Sequence, residues 1–72
     1  MIKPNFDKHE WQKKVVKAWK EEMQKFKPSI RLQRLFTSSV NYLVVRGHSY
    51  NQANDRVAKA FEVARKEYFE EA

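Results

Sequence analysis

The sequence has no cysteine, one glycine and two prolines among its 72 residues. Without cysteine, neither a disulfide nor a thiolate metal site can reinforce the fold, and this composition is typical of a reducing compartment. The scarcity of glycine and proline, with 33% of the residues charged, favours helices joined by short connections. We therefore expect a single helical domain, 1–72, that depends on a small apolar core.

Long apolar runs are also missing. The longest such run is 42–45, which is far too short to cross a bilayer. The N-terminal sequence MIKPNFDKHE lacks the apolar segment of a secretory signal peptide. These two absences predict a cytoplasmic protein without a membrane span.

Apolar residues recur at helical spacing in three segments, which we predict to form an all-α, compact three-helix bundle. Residues 37–45 are rich in β-branched side chains, so a strand is the alternative there. A helix is favoured, because no other stretch alternates between polar and apolar residues and a lone strand would lack a partner. The predicted helices are 8–26, 29–46 and 50–69, with an extended lead-in at 1–6 and a frayed tail at 70–72.

Local sequence signals mark where these helices begin. Asp7 is followed by Glu10, and Ser49 by Gln52, at the three-residue spacing of capping boxes. Pro28 suits the first turn of a helix and also closes the helix that precedes it. The first and second helices are therefore expected to meet at this proline.

The connection between the second and third helices is predicted to be a tight Gly47–His48 turn. Gly47, the only glycine, stands where helices commonly end with a positive φ. The spacing of Gly47, His48, Ala53 and Val57 resembles the helical hairpin of ubiquitin-associated-type domains, which carry an aromatic residue in place of His48. A DNA-reading helix-turn-helix fits less well, because charged residues stand where that motif is apolar. The resemblance is confined to this hairpin, and we transfer no function from it.

The segment 28–49 is the most apolar part of the chain, and both neighbouring helices are expected to pack on it. As a helix it has one wide apolar face, with Ser39 at its centre, where a small side chain allows close approach. The first and third helices each contribute an apolar stripe. The residues predicted to be buried are Trp11, Val15, Val16, Ala18, Trp19, Met23 and Phe26, then Leu32, Leu35, Phe36, Val40, Leu43 and Val44, and finally Tyr50, Ala53, Val57, Ala60, Phe61, Ala64 and Tyr68.

The net charge of +6 is concentrated in the first half of the chain. Residues 1–34 contain ten Lys and Arg against four Asp and Glu, whereas residues 35–72 contain five of each. Four lysines and Gln24 project onto one line opposite the apolar face of the first helix, and polar residues of the second helix extend this surface. A regular row of cations can meet successive phosphates with sequence-independent affinity. The predicted nucleic-acid-binding residues are Lys13, Lys17, Lys20, Lys27, Arg31, Arg34, Ser38 and Asn41.

The main alternative is a protein-interaction module, such as a small regulator or inhibitor, that docks on an acidic protein partner. Tyr42, Val45 and Phe69 fall off the predicted buried faces and are candidates for a partner patch or a homodimer contact. A membrane-surface helix is disfavoured, because a chain this small needs its tryptophans in the core. His9 and His48 lack ligand-spaced companions, and no catalytic arrangement is evident. We therefore expect no metal, no cofactor and no enzymatic activity.

Overall fold

The computed structural model describes residues 7–71 and shows three α-helices, each in contact with the other two. No strand occurs within 7–71, so the predicted three-helix bundle is confirmed and the strand alternative for 37–45 is wrong. The predicted lead-in at 1–6 and the last residue, Ala72, lie outside the described residues. The helices are α1 (Lys8–Met23), α2 (Pro28–Val45) and α3 (Tyr50–Glu71).

The first helix ends at Met23, three residues before its predicted end, and 24–27 connect it to α2. The cause is Pro28, because a proline ring disfavours helical geometry at the residue before it. Lys27 instead adopts the left-handed conformation, with φ 56° and ψ 60°. The chain has therefore left α1 before it reaches Phe26, and the prediction that this side chain is buried is wrong, since it is 81% exposed.

Both predicted N-caps are present. The Asp7 carboxylate accepts hydrogen bonds from the backbone N–H groups of His9 and Glu10, at 3.0 and 3.2 Å. At the start of α3, Ser49 Oγ accepts from the Gln52 N–H at 3.2 Å, and Gln52 Oε1 accepts from the Ser49 N–H at 3.4 Å. These bonds satisfy backbone donors that the first turn of a helix leaves unpaired.

The tight turn between α2 and α3 is also confirmed. Gly47 has φ 107°, a conformation that is costly for a residue with a Cβ. Its N–H donates to Val44 O at 3.0 Å, and the His48 N–H donates to Leu43 O at 3.1 Å, which together form a Schellman motif. The His48 ring is buried, with Nδ1 3.1 Å from the same Leu43 oxygen. The end of α2 is therefore well bonded before α3 begins.

The remaining boundaries differ from the predicted ones by one or two residues. The third helix continues to Glu71, so residues 70 and 71 are helical where a frayed tail was predicted.

Val44 and Tyr50, both predicted to be buried, are 40% and 67% exposed. Val44 lies at the edge of the apolar face of α2 and Tyr50 is the first residue of α3, so neither is enclosed by a neighbouring helix.

The core consists of two adjoining clusters along the bundle. In one cluster Trp11 of α1 packs with Val57 of α3, and in the other Trp19 packs with Ala64 and contacts the Tyr68 ring edge-on at 5.6 Å. The early turns of α1 thus meet the early turns of α3, and the late turns meet the late turns. These two helices run in the same direction and contact each other directly, and α2 runs in the opposite direction and packs against both.

Small residues let the helices approach closely at the centre of the bundle. Ala53, Ala60 and Ala64 of α3 are fully buried, and Ser39 of α2 is 7% exposed, as predicted for a close-approach position. Large side chains from the other helices pack against these small residues, including Leu43 of α2, which is fully buried. The alanines of α3 therefore leave room for larger side chains from α1 and α2.

The parallel direction of α1 and α3 gives the bundle two distinct ends. The hairpin end contains the start of α1 and the Gly47–His48 turn. The loop end contains the connection 24–27, the first turn of α2 and the last turn of α3. Charged and aromatic side chains are distributed differently between these two ends, and that distribution positions the candidate site.

Candidate nucleic-acid interface

Two grooves run along α1, one on each side. The α1–α3 groove has a volume of about 460 Å³. Its charged lining consists of Lys13, Lys17, Lys20 and Glu67, with His9 beside them and Val63 on the floor. Three lysines against one glutamate make the formal charge of this groove positive.

The α1–α2 groove is slightly larger, with a volume of about 530 Å³. Asp7 and Glu10 line it together with Lys14 and Arg46, so its charged lining is balanced. Ser38 lies in this second groove. A polyanion therefore gains less here than in the α1–α3 groove.

The three lysines of the α1–α3 groove differ in their surroundings. Lys20 Nζ donates to Glu67 Oε1 at 3.0 Å, across the interface between the two helices. Lys13 and Lys17 are exposed and make no ion pair with another residue of 7–71. Their ammonium groups remain available to an external anion, one helical turn apart.

The other predicted basic residues lie elsewhere. Because α1 ends at Met23, Gln24 and Lys27 are not on its surface, and the predicted straight stripe is limited to the three lysines of the α1–α3 groove. Arg31 and Arg34 are exposed on the first turns of α2, at the loop end. Asn41 is exposed further along α2. The predicted residues therefore occupy two basic regions, with Ser38 and Asn41 outside both.

The second basic region is the connection 24–27 with the first turns of α2, at the loop end, where the last turn of α3 also places the exposed Glu70. Arg31 Nε donates to the backbone oxygen of Phe26 at 3.2 Å, which ties the connection to α2. Glu22 partly neutralises this region, with its Oε1 3.2 Å from Lys25 Nζ and its Oε2 4.0 Å from Arg31 Nη1. Lys27 Nζ lies 5.7 Å from the centroid of the Phe26 ring. Cations and an exposed aromatic ring are thus neighbours here.

The three candidates for an apolar partner patch do not form one surface. Val45 is the last residue of α2, at the hairpin end, whereas Phe69 is in the last turn of α3. The 22 residues of α3 rise about 33 Å, which separates the two positions by most of the bundle. Tyr42 is 44% exposed and its ring lies 4.5 Å from the Arg46 guanidinium carbon.

An exposed apolar group at the loop end was not predicted from the sequence. Phe26, Ile30 and Phe69 are 81%, 48% and 62% exposed, and they come from three different parts of the chain. The signal that identifies Phe26 is Pro28, because the residue before a proline leaves the helix and the preceding turn leaves with it. The location of Phe69 at the same end depends on the parallel packing of α1 and α3.

The two histidines have different roles in the structure, and neither joins a metal-binding cluster. His48 is buried in the hairpin turn, and His9 is exposed beside the α1–α3 groove. Within 7–71, no group of three or more His, Cys, Asp or Glu side chains is placed to hold a metal ion.

None of the three described helices is both long and apolar enough to cross a membrane. Comparisons with protein-family models, with curated proteins and with solved structures found no match to this chain.

Proposed function

We propose that this chain is a small, non-enzymatic nucleic-acid-binding protein of the cytoplasm. It contacts phosphates chiefly through Lys13, Lys17 and Lys20 in the α1–α3 groove. The observation that supports this proposal is the pair of exposed lysines without an ion pair to any residue of 7–71, in a groove whose lining is positive. Four residues of helix rise about 6 Å, and each strand of a duplex carries a phosphate about every 3.4 Å along its axis. Each lysine can therefore meet a different phosphate.

The loop end adds to the same electrostatic field. Lys27, Arg31 and Arg34 lie beyond the last turn of α1, so a backbone that follows the α1–α3 groove towards this end encounters further cations. Arginine can also hold a phosphate through two parallel hydrogen bonds. Binding of this kind reads charge rather than sequence, and a homodimer would double the phosphate-binding surface.

The test is a salt titration of binding to a generic nucleic acid. The logarithm of the association constant should fall linearly with the logarithm of salt concentration. The double variant Lys13→Glu/Lys17→Glu should weaken binding and flatten the slope by about 1.8, because each phosphate that a lysine neutralises on a duplex adds about 0.9 to the slope. Lys59→Glu/Lys66→Glu makes the same charge change on the exposed face of α3, outside the α1–α3 groove, and should have a much smaller effect. No binding at low salt would contradict the proposal.

A second function is favoured by the exposed apolar group at the loop end. Phe26, Ile30 and Phe69 beside basic residues suit an acidic protein partner with apolar side chains, as a regulator or adaptor would bind. A pull-down from lysate separates the two functions when it is performed with and without nuclease. A stoichiometric protein that remains bound after nuclease supports the interaction module, and loss of all bound material after nuclease supports nucleic-acid binding.

A further inference from the structure

The loop end displays an aromatic ring where a small protein would ordinarily bury one. Phe26 is 81% exposed although the whole chain has only five phenylalanines with which to build a core. Enclosing such a side chain is worth about 1.5–3 kcal/mol, and this stabilisation is forgone at this position. Phe69 is also exposed at the loop end, and its ring lies edge-on to Tyr68 at 5.4 Å, which in turn contacts Trp19 in the core.

The backbone beneath this ring is held in place. Arg31 Nε donates to the Phe26 oxygen, and the next residue, Lys27, is fixed in the left-handed conformation in front of Pro28. A ring carried on a restrained backbone loses little conformational entropy when a planar ligand stacks on it. The connection is therefore suited to presenting Phe26 outward.

The charged side chains near the Phe26 ring indicate which kind of partner it can bind. Lys25, Lys27, Arg31 and Arg34 come from the connection and the first turns of α2, and Glu22 is the acid that pairs with two of them. The charged side chains with a direct contact to Phe26 are both cationic, Lys27 and Arg31, whereas the exposed acid Glu70 at this end lies on the last turn of α3. The partner should be anionic and should also offer flat apolar surfaces.

We infer that the ligand of the proposed nucleic-acid site is single-stranded, with an unpaired base stacked on Phe26. This inference depends on the proposed function and narrows it. In a duplex the faces of the bases are occupied by their neighbours, whereas a single strand exposes them to aromatic side chains. The phosphates follow Lys13, Lys17 and Lys20 along the α1–α3 groove, and the strand reaches the connection 24–27 just beyond the last turn of α1.

The geometry allows one strand to use both regions. From Lys13 to Met23 α1 rises about 15 Å, and the connection that carries Phe26 follows directly. Proteins that bind single strands without sequence preference commonly combine a basic channel with one or more stacking residues. Here the channel is the α1–α3 groove and the stacking residue is Phe26.

The experiment measures binding of a labelled single strand of roughly 12 nucleotides, a length within the usual site sizes, and of its duplex at the same salt concentration. The wild type should prefer the single strand. Phe26→Ala should weaken single-strand binding about 5- to 140-fold, the equivalent of removing one base stack, and leave duplex binding and the salt slope unchanged. Tyr50→Ala is the matched control, because Tyr50 is 67% exposed at the hairpin end and should not contribute.

An abasic strand of the same length supplies the matched ligand control, since it keeps the phosphates but has no bases. The wild type should bind it as weakly as Phe26→Ala binds the normal strand. Equal binding of wild type and Phe26→Ala to the single strand, or a preference for duplex, would overturn this inference while the proposed function stands. If neither nucleic acid binds at low salt, the proposed function fails with it. Binding to phosphatidylserine vesicles that is abolished in Phe26→Ala, without any effect of that variant on single strands, would assign the ring to a membrane surface instead.

Discussion

Replacing Glu67 with glutamine should strengthen nucleic-acid binding. Glu67 is the one carboxylate among the described residues that line the α1–α3 groove, and its Oε1 lies 3.0 Å from Lys20 Nζ. This carboxylate repels an approaching phosphate and competes with it for the lysine. Glutamine keeps the size of the side chain and removes the charge, so the groove becomes more positive without a large change in packing.

The expected gain follows from counterion release. If Lys20 exchanges this carboxylate for a phosphate, the salt slope on a single strand steepens by about 0.7. With a slope of about 0.7 counted from a reference of about 1 M salt, one neutralised phosphate raises the association constant about 8-fold at roughly 50 mM salt and about 3-fold at roughly 200 mM. The cost in stability should be small, because the side chains of this pair are 24% and 45% exposed and exposed pairs contribute about 0–1 kcal/mol.

The assay is a salt titration of Glu67→Gln beside Asp55→Asn. Asp55 pairs with Lys59 at 3.2 Å on the exposed face of α3, with both side chains mostly exposed, so Asp55→Asn makes the same charge change outside the groove. Its effect should be well below that of Glu67→Gln. An unchanged slope in Glu67→Gln, or an equal gain in both variants, would refute the assignment of phosphate binding to the α1–α3 groove.

Two further predictions concern the fold that presents this groove. Val57→Ala should lower the free energy of unfolding by about 2 kcal/mol more than Val45→Ala, because Val57 is fully buried and Val45 is 79% exposed. Both substitutions change the helix propensity by a similar amount, so the difference between the variants measures burial. Urea denaturation followed by circular dichroism measures this difference, and equal stabilities would contradict the burial of Val57 in the bundle. Lys27→Gly should be more stable than Lys27→Ala by about 0.5–1 kcal/mol, because glycine adopts the left-handed conformation without a Cβ penalty. Thermal denaturation of the two variants checks this, and a more stable alanine variant would mean that residue 27 is not left-handed.

The local features of the fold could be predicted from the sequence because short-range chemistry determines them. The caps at Asp7 and Ser49 and the positive φ of Gly47 each depend on a few neighbouring residues, and all three are present. The same reasoning placed the end of α1 too late. Apolar periodicity continues through Phe26, whereas the steric effect of Pro28 on the residue before it ends the helix earlier.

The candidate site was only partly predictable, because a projection of one helix does not show which neighbour each flank faces. Lys13 and Lys17 were identified as cations opposite the apolar face. Their association with Glu67, and the separation of Ser38 into a balanced groove, depend on how α1 packs against both α2 and α3. No spacing within the sequence encodes that arrangement directly.

Three helices, the N-caps of α1 and α3, a tight hairpin turn and an excess of positive charge in the first half of the chain all follow from residue type and local spacing. The shared groove of Lys13, Lys17, Lys20 and Glu67 does not, and neither does the exposure of Phe26 and Phe69 at the same end of the bundle. Both arise from the packing of the helices against one another. Side chains far apart in the chain become neighbours only when the burial of large apolar side chains orients the helices, and here those side chains are Trp11, Trp19 and Leu43.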